Sequence, residues 1–153
     1  MAISVALNSG DSAGDLPLSP QGIPGAATDK FARAKLSPSG PPVRGGLTPL
    51  ALRRVRDYVE SHLGNNITIP RLAAIAGLSV YHFARAFKQS EGVPPHDYLL
   101  QCRVRRVQQL LAGTDLPVAE IARVTGFFDQ SHCTRQFRER VGVTPTHYRR
   151  SLR

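Results

Sequence analysis

GFFDQSHCTRQFRERVGVTPTHY, residues Gly126 to Tyr148, reads as a tight turn, an amphipathic helix and the opening of a further helix. Upstream, from Gly77 to Tyr98, stands GLSVYHFARAFKQSEGVPPHDY, which carries nearly the same pattern. The two stretches pair His82/His132, Arg85/Arg135, Phe87/Phe137, Lys88/Arg138, Gly92/Gly142, Val93/Val143, Pro95/Pro145 and Tyr98/Tyr148 at a constant offset of 50 residues. Ahead of the turn the offset is 49, pairing Ile67 with Leu116, Ile69 with Val118, Leu72 with Ile121, Ala73 with Ala122 and Gly77 with Gly126. One unit is used twice, with a single residue inserted in the second turn.

Composition divides the chain near Gly46. The first 46 residues hold 7 Gly, 6 Pro and 6 Ser, and their few large apolar side chains follow neither a helical nor a strand period. Too little apolar surface is available there to offset the entropy of ordering, so residues 1–46 are expected to form a disordered tail. The tail carries 4 Lys/Arg against 3 Asp/Glu, whereas residues 47–153 carry 16 against 8, a net charge of +8. Fifteen of those 16 cations are arginine, whose planar donor fork suits phosphates and guanine edges. A polyanionic partner is favoured, although charge alone suits an RNA or a membrane surface equally.

Several classes of function find little support. Cys102 and Cys133 are the only cysteines, and neither stands in a CxxC or metal-ligand spacing. His62, His82, His96, His132 and His147 are scattered, with no pair at the spacing a zinc-binding helix needs, so neither a metal nor a cofactor is expected. Paired catalytic carboxylates, a nucleophile elbow and a phosphate-cradling glycine loop are not legible, which argues against an enzyme. At the start Ile3, Val5 and Leu7 alternate with small and polar residues, unlike a secretory leader. No apolar run nears the roughly 18–20 residues of a membrane helix, so a cytoplasmic setting without a membrane partner is expected.

Seven helices are predicted, all in residues 47–153. Thr48-Pro49 opens the first, 48–63, with an N-cap and a proline in the first turn; Leu52, Val55, Val59 and Leu63 mark its inner face. A short helix, 68–76, stops at Gly77, and Ser79 caps the next, 80–90. A longer helix, 95–111, follows, with Leu100, Val104, Val107 and Leu111 inward and Arg103, Arg105 and Arg106 on its flanks. At 1.5 Å per residue it measures roughly 25 Å, enough to hold two small subdomains apart. The second pair, 117–124 and 129–140, repeats the pattern with Asp129 as cap, and a last helix spans 145–152. The fold class is therefore all-α, two helix-turn-helix subdomains joined by a linking helix.

In each outer helix one face turns inward, through Phe83, Ala86 and Phe87 in the first copy and Cys133 and Phe137 in the second. The opposite faces are Tyr81, Ala84, Arg85 and Lys88, and Ser131, Thr134, Arg135 and Arg138, with cations at the same two positions. A helix-turn-helix sets its second helix in the major groove, where the first turns reach base edges. Tyr81, Arg85, Gln130, Ser131, Thr134 and Arg135 are accordingly the candidate base-contacting residues, because Arg matches guanine, Gln matches adenine and a Thr methyl meets that of thymine. Lys88 and Arg138 are assigned to phosphate. Two such units can read two groove segments roughly 34 Å apart on double-stranded DNA, so a monomer suffices. His82 and His132 are expected to hydrogen-bond near the start of their helices.

Residues 47–153 resemble the DNA-binding domain of the AraC/XylS family of bacterial transcription regulators, through LAAIAGLSVYHFARAFK, RVRRVQQLL and IARVTGFFDQSHCTRQFRERVGVTPTHYRR. The resemblance implies a seven-helix, two-subdomain fold that binds promoter DNA and recruits or repositions RNA polymerase. Family members commonly add an effector or dimerisation domain, where this chain has its 46 low-complexity residues. Cys133 departs from the family's usual aromatic or leucine, which forgoes about 2–4 kcal/mol of packing unless Phe127 or Phe128 fills the space. Beside a sequence-specific regulator, a nonspecific or architectural nucleic-acid binder and a protein-interaction module remain open.

Overall fold

The computed structural model describes residues 44–153. The disorder expected of the tail concerns residues that lie outside this range, apart from Arg44, Gly45 and Gly46. Seven helices follow: α1 Pro49–Ser61, α2 Ile69–Ala76, α3 Val80–Glu91, α4 Pro95–Gly113, α5 Val118–Val124, α6 Gln130–Val141 and α7 Pro145–Ser151. No strand occurs among the described residues. Each helix boundary falls within two residues of its expected place, since the caps and glycines that stop helices act locally.

The repeat in sequence is a repeat in three dimensions. Ser79 and Asp129 each cap their helix by accepting from the backbone N–H three residues on, His82 and His132. Gly77 and Gly126 adopt the left-handed turn at φ 71° and 81°, where a side chain would be strained. Tyr98 sets its ring edge-on against Phe87, with centroids 5.3 Å apart, and Tyr148 does so against Phe137 at 5.5 Å.

Two cores result. The first gathers Val55, Val59, Leu72, Phe83, Phe87, Tyr98, Leu99 and Cys102. The second gathers Leu100, Val104, Val107, Leu111, Ile121, Phe127, Cys133 and Phe137. Helix α4 therefore serves both, closing the first unit with its opening turns and founding the second with the rest. A buried carboxylate adds a tie within the first unit, where Arg56 Nε donates to Glu91 Oε1 at 2.5 Å and joins α1 to α3.

Two expectations change. Arg103 does not decorate a flank: it is buried, and its guanidinium donates to the carbonyls of Leu63 (3.4 Å) and Asn65 (3.0 Å) in the α1–α2 loop. Burial also pushes its pKa below the usual arginine value. The subdomains are not simply held apart either. A Cβ on Gly64 would stand 2.7 Å from the Val124 carbonyl, and one on Gly126 would run into the Leu63 carbonyl and Arg103 Nη2. The loop before α2 and the turn after α5 thus touch, with Arg103 as their bracket.

Candidate nucleic-acid interface

The outer helices α3 and α6 present their cations because their apolar residues are already committed inward. On α3, Phe83, Ala86 and Phe87 are buried, which leaves Tyr81, Arg85 and Lys88 exposed and Ala84 half-buried between them. Arg85 donates to the Tyr81 hydroxyl at 3.2 Å, and its guanidinium carbon lies 5.7 Å from the centre of that ring. Tyr81 is 64% exposed, so the ring stands up from the subdomain rather than covering it, and steadies the arginine beside it.

On α6, Cys133, Phe137 and Val141 turn inward. Gln130, Ser131, Arg135 and Arg138 are exposed and Thr134 is half-buried, and all five line one concavity together with Glu139, Gly142 and Thr144. Five expected residues are thus brought together. Tyr81, Arg85 and Lys88 form a separate group on α3.

Among the described residues, the ion pairs are Arg53–Asp57, Arg56–Glu91, Arg123–Glu120, Arg140 with Asp97 and Glu139, and Arg153–Asp115. Arg85, Lys88, Arg135 and Arg138 take no part in them. Arg54, Arg71, Arg105, Arg106, Arg149 and Arg150 are likewise outside these pairs, so what sets the two outer faces apart is that their unpaired cations recur at the same two positions of both copies. Glu139 borders the α6 concavity but is engaged by Gln136 Nε2 at 3.1 Å and Arg140 at 3.8 Å. An anion approaching α6 meets two arginines, whereas the amide end of the helix is already capped by the Asp129 carboxylate.

The histidines have local roles. His82 Nδ1 lies 2.7 Å from the Ser79 hydroxyl at the start of α3. His132 instead sets its ring edge-on to Phe127, 5.4 Å between centroids, while its backbone N–H reaches Asp129. Phe127 is buried in the second core and Phe128 is 92% exposed, so of the two candidates to compensate Cys133 only Phe127 turns inward. Burial pushes the Cys133 thiol up to about 11 and raises that of Cys102, which suits inert core thiols. Two features were not anticipated for this surface, exposed Phe128 and Glu139. The first had a trace in the sequence, the one-residue insertion.

The chain matches the helix-turn-helix domain family over residues 72–151. It is 33% identical over 99 residues to a probable transcriptional regulator, LumQ, of Photobacterium leiognathi, covering 65% of this chain and 40% of that protein. The first curated relatives are all longer, and the chain spans 33–40% of their lengths. Among solved structures, the C-terminal domain of AraT, a response regulator from Geobacillus stearothermophilus, superposes with a TM-score of 0.64 at 31% identity, covering 69% of this chain and 87% of that one. The DNA-binding domain of the global transcriptional factor AdpA, solved with a target DNA, gives 0.65 at 32% identity over 67% of this chain and 93% of that one. With the doubled unit, the shared helix α4 and the two outer cationic faces, these likenesses establish that the chain belongs to the AraC family of transcription regulators, through its helix-turn-helix DNA-binding domain.

Proposed function

We propose that residues 47–153 bind double-stranded DNA sequence-specifically and regulate transcription, with α3 and α6 laid in successive major-groove segments of a promoter. The observation that carries this is the pair of repeat-related helices whose arginine edges have no carboxylate partner among the described residues. Tyr81, Arg85, Gln130, Ser131, Thr134 and Arg135 meet base edges, and Lys88 and Arg138 meet phosphates. A single chain suffices, because both reading units lie in it. The domain works in the cytoplasm, on the nucleoid, and acts on RNA polymerase bound nearby. No cofactor or catalytic step is needed.

Selection of duplexes from a random pool, at about 150 mM salt with excess competitor DNA, tests the reading, because nonspecific binding is almost wholly electrostatic. On the selected site Arg135→Ala should cost about 1–3 kcal/mol and relax preference at one base pair. Arg138→Ala should weaken all sequences alike. A pool that yields no motif favours the nonspecific binder, and an Arg135→Ala that lowers specific and random affinity by one factor removes its base-reading role.

A further inference from the structure

Phe128 is the residue that the second copy has and the first lacks. Leu78 pairs with Phe127 at an offset of 49 and Ser79 with Asp129 at 50, so the insertion falls on Phe128. The two caps confirm that register, since each accepts from the N–H three residues on. At 92% exposure Phe128 stands further out than any other large apolar side chain among the described residues.

An apolar residue just before an N-cap ordinarily folds back onto the fourth residue of its helix. That residue here is Cys133, fully buried, and Phe128 does not cover it. Its neighbour Phe127 goes into the core instead and packs against His132. The exposed ring shares a concavity with Asp129, Ser131, His132 and Arg135. Two of those, Ser131 and Arg135, belong to the proposed reading edge. A phenyl ring at the lip of a cationic, polar reading surface is matched by one apolar feature of a DNA groove, the 5-methyl group of thymine.

We infer that Phe128 is a specificity-determining residue that reads a thymine methyl in the major groove, beside the base pair met by Arg135. The inference rests on the DNA-reading role of α6 and adds to it a contact made from the turn. Covering one methyl group this way is worth about a fourfold preference for thymine over uracil.

The experiment uses the full chain and the duplex selected from the random pool, so failure to obtain a selected site counts against DNA reading itself and is seen before this test begins. Thymines in the site are replaced one at a time by uracil, which removes the methyl and keeps every hydrogen-bonding group. One position should lose about fourfold with the wild-type chain and nothing with Phe128→Ala. On the unmodified site Phe128→Ala should lose the same factor, and Phe128→Leu should keep most of it. Because the ring is exposed, thermal melts of the variants should match wild type. The inference is overturned if no thymine is sensitive, or if the losses from uracil and from Phe128→Ala multiply independently. It is equally overturned if Phe128→Ala changes the sedimenting mass, which would assign the ring to contact with a second copy.

Discussion

Cys133 occupies the position that Phe83 holds in the first copy, and both are fully buried. The difference in volume is met from the turn: Phe127 is buried in the second unit, while its counterpart Leu78 stays 39% exposed in the first. The exchange moves bulk from helix to turn and leaves a small thiol in the core. That thiol has a cost in alkali. An unfolded cysteine ionises near 8.5, whereas burial holds folded Cys133 neutral up to about 11. The folded pKa is the higher, so the stabilising contribution is full below the unfolded value and is lost as pH rises from about 9 through 11. Cys102 and Tyr98, also raised by burial, add to the same loss. Cys133→Ala should cost about 1 kcal/mol at pH 7, and the gap to wild type should close and then reverse by pH 10.5, because one titrating thiol is gone and each unit of its shift is worth about 1.4 kcal/mol. Urea midpoints at pH 7, 9 and 10.5 measure it, and a gap that stays constant would show that Cys133 does not titrate as a buried thiol.

At the scale of elements, the two turns look alike and differ in surroundings. Gly77 and Gly126 share a left-handed backbone, yet a Cβ at Gly77 would meet nothing within 4 Å, and one at Gly126 would strike the Leu63 carbonyl and Arg103. Gly77→Ala should therefore cost only the conformational penalty, about 1–2 kcal/mol, and Gly126→Ala clearly more. Denaturant unfolding of the two single variants decides it, and equal losses would mean that the subdomain contact yields freely. The helices themselves were legible in the sequence, because period, caps and stop glycines are local and were written twice. The outward faces were legible for the same reason, since Arg85 and Arg135 stand opposite buried phenylalanines in both copies. Arg103 was not. In RVRR three arginines stand around one valine, and only the carbonyls of Leu63 and Asn65, some forty residues away, single one of them out. The direction of Phe128 was hidden too, because two adjacent phenylalanines in a turn cannot both enter one small core and the sequence does not say which does.

For the whole molecule, the question is whether the two reading helices act as one rigid caliper. A shared helix alone would allow bending about its axis, but the Gly64–Val124 and Leu63–Gly126 approaches, bracketed by Arg103, fix a second point of contact. Two points of attachment set both distance and phase. If α3 and α6 enter successive groove segments, adding five base pairs between the selected segments turns one by about half a turn. With the base contacts of one unit lost, at about 1–3 kcal/mol per position, the wild-type chain should bind such a site roughly a hundredfold more weakly. Arg103→Met keeps the length of the side chain and removes its donors. Leaving two carbonyls without their charged partner, it should cost about 1.5–3 kcal/mol in stability. A freed second unit should also tolerate a change in spacing: on a site lengthened by one base pair the variant should lose less affinity than wild type, relative to each protein's own binding to the selected site. Both chains are compared well below their melting temperatures, so reduced stability does not enter the ratio. Equal spacing penalties would place the rigidity in α4 alone and reduce Arg103 to a stabilising residue.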